Sequence, residues 1–119
     1  MNSYLLNDIL VQIQYYEKLI VTLLEKKEQD GIKRRYALKE HKKNVKTVKH
    51  NIFLIKTSPT PNETYINEFK NKLLLLKEEE KIIWSKFSNL YVETVSKLEN
   101  CYSKRLDFYM LLRYKRYGT

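Results

Sequence analysis

The sequence predicts an all-α protein: a long antiparallel helical hairpin, or helical bundle, with coiled-coil-like packing. Three observations predict it. Apolar residues recur in steps of three and four along most of the 119 residues, the rhythm of helices packed along one stripe. Only two Gly and two Pro are present, which leaves little material for turns. One passage, Thr57-Ser58-Pro59-Thr60, divides the chain almost evenly, and two equal helical arms joined by a short loop pack antiparallel. The expected organisation is a single helical domain over 1–119, with an arm at 3–56, a turn at 57–60 and an arm at 61–117.

The first arm opens with Ser3 as a candidate cap and Asp8 in the early turns, where a carboxylate is favourable. Leu6, Ile9, Ile13, Tyr16, Ile20 and Leu23 repeat in helical steps, and Lys27 falls next on the stripe. Asp30-Gly31 is then a candidate kink or break at 30–31. Leu38, His41, Val45, Val48, Ile52 and Ile55 resume the rhythm. Ser58 precedes Pro59 and is pushed out of the helical region, which ends the arm.

The second arm has two start signals. Thr60 and Glu63 have capping-box spacing, and Pro61 sits where a first helical residue tolerates the lost N–H. Its stripe is Ile66, Phe69, Leu73, Leu76, Ile83, Phe87, Leu90, Leu98 and Cys101. Phase is expected to slip near 99–101, a second candidate break, before Leu106, Tyr109 and Leu112 resume it. With 57 meeting 60 at the turn, residue 39 is expected to face 78, and residue 13 to face 104. Tyr15, Leu74, Leu75, Trp84, Tyr91 and Val95 lie off the stripe. They widen the apolar face, so a homodimer, or arms folded back at Gly31 and Asn100, is expected to cover them.

The net charge of +9 is uneven. Residues 31–56 hold nine Lys or Arg against Glu40 alone. Within them Arg35, Lys39, Lys42, Lys46 and Lys49 form a row beside the apolar stripe, broadened by Lys33, Arg34 and Lys43. Like charges one turn apart cost an isolated helix ~0.2–0.5 kcal/mol per pair. A row of this kind suits a polyanion or an acidic protein surface. The bland alternative is internal neutralisation, with Glu78, Glu79 and Glu80 opposite Lys39. A secondary basic patch, Lys104, Arg105, Arg113, Lys115 and Arg116, is interleaved with Tyr102, Phe108, Tyr109, Tyr114 and Tyr117. That mix can stack bases and grip phosphates, or simply be an amphipathic helix end with outward-reaching cations.

Little here suits catalysis. His41 and His50 are nine apart in a Lys-rich segment that repels a metal. Glu78, Glu79 and Glu80 are consecutive and point apart, so they make no carboxylate pair. Glu80 falls on the stripe, where pairing with a facing Lys or Arg would set register. Cys101 reads as a small buried apolar residue. No phosphate loop or nucleophile elbow is present. The expectation is a protein that is not an enzyme, with no catalytic residue, metal or cofactor. No apolar run reaches the length of a membrane span, and a single Cys suits a reducing cytosol, so a cytoplasmic protein without a membrane partner is expected. Scarce Ala and Gly beside abundant Lys, Asn, Ile and Tyr fit AT-rich coding, as in a low-GC bacterium or its phage.

One passage carries a resemblance. Val95-x-x-Leu98-Glu99-Asn100, then Leu106-x-x-Tyr109-x-Leu111-Leu112-Arg113-Tyr114 and the closing Arg116-Tyr117-Gly118-Thr119, is similar to the helical region of small phage transcription regulators of the ArpU/RinA type. The likeness covers about half the chain, from Tyr65 onward. In that family a comparable run leads into a short Gly-Ser/Thr-Trp passage and a DNA-reading helix-turn-helix, and the residues here end at Thr119. The resemblance implies long helices and a role in phage transcription regulation. With the basic row, the expected function is nucleic-acid binding, or a place in a nucleoprotein complex. The alternative is a helical inhibitor or adaptor in a protein–protein interaction, such as an antagonist of a host nucleic-acid-processing or defence enzyme.

Overall fold

The computed structural model describes residues 5–118. Two helices account for nearly all of them, α1 over Leu6–Lys56 and α2 over Glu63–Tyr117. The protein is an all-α helical hairpin with coiled-coil-like packing, and no strand occurs among the described residues. The Ser3 cap lies outside the described residues. At the start of α1 the Leu5 N–H donates to Asp8 Oδ2 at 3.4 Å, so the acidic residue of the first turn satisfies one orphan donor.

Neither candidate break exists. α1 continues through Gly31 and α2 through Asn100. Gly31 has no positive φ, and its propensity cost of about 1 kcal/mol relative to Ala is small beside the packing on either side. Near Asn100 the stripe never loses phase. Thr94, 2% exposed, fills the position between Leu90 and Leu98. Beyond Cys101 the inward positions are Arg105, Phe108, Leu111 and Leu112, all partly buried. Leu106, expected inward, is 59% exposed. An Arg at a stripe position hid the rhythm: Arg105 is partly buried, with its guanidinium beside the Tyr102 and Tyr109 rings of its own helix at 5.4 and 5.9 Å.

The connection is also longer than expected. α1 closes as anticipated, with Thr57 Oγ1 donating to the Phe53 carbonyl at 2.8 Å and Ser58 Oγ to that of Ile55 at 2.9 Å. α2, however, begins at Glu63 rather than 61. Its cap is Asn62, whose Oδ1 accepts from the Tyr65 N–H at 3.3 Å, in place of Thr60. Asn ranks above Thr as a capping residue, and Asn62 lies directly before the first helical residue. α2 closes at Gly118, which takes the left-handed conformation with a φ of 72° and donates its N–H to the Tyr114 carbonyl at 2.7 Å.

The chain divides into two units, Met1–Gln29 with Leu90–Thr119, and Asp30–Asn89. In the first, Ile20, Leu23, Leu98 and Cys101 form the core, with Tyr16 and Leu19 against it. Burying an apolar side chain of this size contributes about 1.5–3 kcal/mol. Tyr16 stacks on Phe108 at 6.0 Å, and the Tyr109 hydroxyl donates to Glu17 Oε1 at 2.6 Å. Lys26 Nζ lies 3.5 Å from Thr94 Oγ1, which accounts for a hydroxyl in the core. In the second unit Ile52, Ile66 and Phe87 are buried, and His41 is buried too, at 7% exposed.

Register differs from the turn-based count within each unit. Glu17 meets Tyr109, and His41 meets Glu80, where that count places residues 100 and 76. Two causes act together. α2 starts late, and helical side chains lean toward their own N-terminus. Antiparallel partners therefore touch from residues numbered higher than their Cα positions imply, most for long side chains such as Tyr and Glu.

Candidate basic interface

The basic row lies in the second unit, on a stretch of α1 that is helical throughout. Arg35, Lys39, Lys42, Lys46 and Lys49 are all exposed. From Arg35 to Lys49 the row runs about 21 Å at 1.5 Å per residue. Of the residues expected to broaden it, Lys33 is exposed. Arg34 is half-buried, with its guanidinium 5.9 Å from the Trp84 ring. Lys43 pairs with Glu40 on its own helix at 3.3 Å. The row itself is less engaged: among the described residues, none of its five cations has a carboxylate within 4.0 Å.

None of the acids expected to neutralise it pairs with a cation of the row. Glu78 pairs with Lys81 at 3.2 Å. Glu79 lines a shallow groove with Asn44, Thr47, Val48 and Lys72. Glu80 approaches His41 at 3.9 Å, so its facing partner is a His and not a Lys or Arg. Between these two helices the row keeps its charge.

The geometry adds two cations that the sequence did not nominate. On the side of the row, a groove of about 500 Å³ runs between α1 and α2, lined by His41, Val45 and Lys49 and by Lys70, Leu73, Leu74, Lys77 and Glu80. It continues past Leu38 and Lys42 to Trp84. Lys70 and Lys77 thus face Lys42 and Lys49 across an apolar floor. Their sequence neighbourhood is close to neutral, and only the helix pairing reveals the association. His41 lies in the floor, and its Nε2 has no hydrogen-bond partner.

The secondary patch, in the first unit, is more divided. Lys104, Arg113, Lys115 and Arg116 are exposed, whereas Arg105 lies against two tyrosine rings. Cys101 is buried and unpaired. Among the described residues no group of three His, Cys, Asp or Glu is placed to hold a metal ion, and no helix is long and apolar enough to cross a membrane. The chain matches no protein-family model, no curated protein and no solved structure.

Proposed function

We propose that this is a non-enzymatic, phage- or mobile-element-type protein that binds the phosphate backbone of nucleic acid, alone or within a nucleoprotein complex. The contact is the face of Arg35, Lys39, Lys42, Lys46 and Lys49. One observation carries the reading: five exposed cations share one helix face without internal carboxylate partners. Backbone contacts of this kind are independent of base sequence and release counterions. The reading agrees with the likeness to ArpU/RinA-type regulators and with a bacterial cytosolic setting. It includes a homodimer at micromolar concentration, since Leu75, on the side of the second unit away from Trp84, remains 65% exposed.

The test is the salt dependence of binding to unrelated duplex DNA and RNA. If about four phosphates are neutralised on duplex DNA, log K falls with log salt at a slope near −3.6. Replacing Lys39, Lys42, Lys46 and Lys49 by Gln removes most of that slope and leaves the helix intact, because Gln keeps helix propensity. Wild-type protein that binds neither nucleic acid at low salt overturns the reading. If the quadruple variant binds as well as wild type, the contact lies at Arg113, Lys115 and Arg116. Sedimentation velocity decides the dimer. A second reading, a helical inhibitor or adaptor docking on an acidic protein, is favoured by the apolar floor of the groove, which phosphates leave unused.

A further inference from the structure

We infer that the groove between α1 and α2 in the second unit takes an acidic amphipathic helix of a partner protein as a third helix. The inference gives the second reading its partner chemistry and shares Lys42 and Lys49 with the proposed phosphate contact.

The groove's shape is that of a seat for a helix. A furrow between two packed helices accepts side chains spaced three and four apart from a third. Its α2 wall, from Lys70 to Trp84, is about 21 Å long, or four helical turns. The floor is apolar: Val45, Leu73 and Leu74 line it, with Leu38 and Trp84 beyond. Leu74 is 61% exposed and Trp84 49%, so cover for them removes substantial apolar area from water. Hydrated phosphates gain nothing from such a floor.

Charge selects the occupant. Lys42 and Lys49 on one rim and Lys70 and Lys77 on the other outnumber Glu80, the acid that also lines the groove, and call for acids flanking the apolar seam of the incoming helix. A second copy presenting the same face brings the same four cations and is repelled. Residues 30–89 as a whole hold fourteen Lys or Arg against seven Asp or Glu. The floor also contains a buried polar atom without a partner, His41 Nε2, with Glu80 beyond hydrogen-bond reach at 3.9 Å.

Trp84 is the only Trp in the chain, so its fluorescence reports occupancy directly. The probe is a synthetic four-turn peptide without Trp, with Leu at seam positions and Glu flanking them; the control carries Lys for Glu. Saturable blue-shifted Trp84 emission with the Glu peptide, and none with the Lys peptide, supports the inference. Leu74→Asp and the Lys70→Glu/Lys77→Glu pair are expected to weaken binding at least tenfold. Leu75→Asp, at an equally exposed site lining the groove on the other side, is expected to leave it unchanged. Circular dichroism of each variant confirms that the helices persist. Unchanged Trp84 emission with the Glu peptide overturns the inference. So does equal weakening by Leu74→Asp and Leu75→Asp, or a single-stranded oligonucleotide that shifts Trp84 emission where the peptide does not. The Lys39/Lys42/Lys46/Lys49 variant also strips the α1 rim of the groove, so Leu74→Asp separates the two readings: it is expected to weaken peptide binding and to leave the salt slope of duplex binding unchanged.

Discussion

His41 Nε2 lies 3.9 Å from Glu80 Oε2, close enough for charge to matter and too far for a hydrogen bond. The two residues differ sharply in setting, 7% exposed for the His side chain and 51% for the Glu. Glu80 therefore keeps its water, while His41 lost its own and gained no partner. An unsatisfied buried polar group costs about 1–3 kcal/mol, and an apolar residue of similar shape removes that cost. His41→Leu is expected to raise the unfolding free energy by about 1 kcal/mol in urea titration. Glu80→Gln should change it by less than about 1 kcal/mol, as half-exposed pairs do. A destabilised His41→Leu protein would show that the imidazole is satisfied in solution.

Gly31 sits inside α1 with nothing within 4 Å of a Cβ built on it. Its φ is not positive. A methyl group there meets no neighbour and restricts the unfolded chain, so Gly31→Ala is expected to stabilise by about 0.5–1 kcal/mol. Thermal unfolding checks it, and a lowered Tm contradicts the unbroken helix.

The apolar stripe was legible because spacing of three and four maps directly onto one helix face. Ile9, Ile13, Ile20, Leu23, Ile52, Ile66, Phe87, Leu98 and Cys101 were all nominated and are all buried. What escaped depends on partners that spacing does not encode. Thr94 reads as polar, yet it is buried and its hydroxyl meets Lys26. Arg105 reads as a surface cation, yet it is partly buried at the stripe position after Cys101. The basic row was visible from α1 alone. That Lys70 and Lys77 complete a groove with it follows from register, which leaning side chains shift by several residues. Whether Glu78, Glu79 and Glu80 neutralise the row was undecidable for the same reason.

The start of α2 separates two competing caps. Asn62 Oδ1 accepts from the Tyr65 N–H, and Asn62 O from the Ile66 N–H at 3.1 Å. Asn62→Ala removes the side-chain bond and is expected to cost about 1 kcal/mol. Thr60→Ala, at an exposed position before the cap, should fall within about 0.5 kcal/mol of wild type. The opposite ranking in urea denaturation would place the helix start at Pro61.

Tyr109 and Glu17 tie the two helices of the first unit together through a 2.6 Å hydrogen bond. That bond, with partial desolvation and the Glu17 charge, raises the Tyr109 phenol above its ordinary value of 10.0, while Arg105 pulls the other way. A phenol with a raised folded-state pKa holds its proton more tightly when folded than when unfolded. Its contribution to stability is therefore complete below about 10 and is lost as pH rises through the folded value. The difference in ultraviolet absorbance between wild type and Tyr109→Phe isolates this phenol from the other nine tyrosines, and its midpoint is expected above 10. Glu17→Ala should lower that midpoint, because it removes both the acceptor and the charge. The stability gap between wild type and Tyr109→Phe should stay constant from about pH 7 to 9 and close above 10. A midpoint at or below 10, or a gap that widens in alkali, would mean that Glu17 and Tyr109 do not hold this bond in solution.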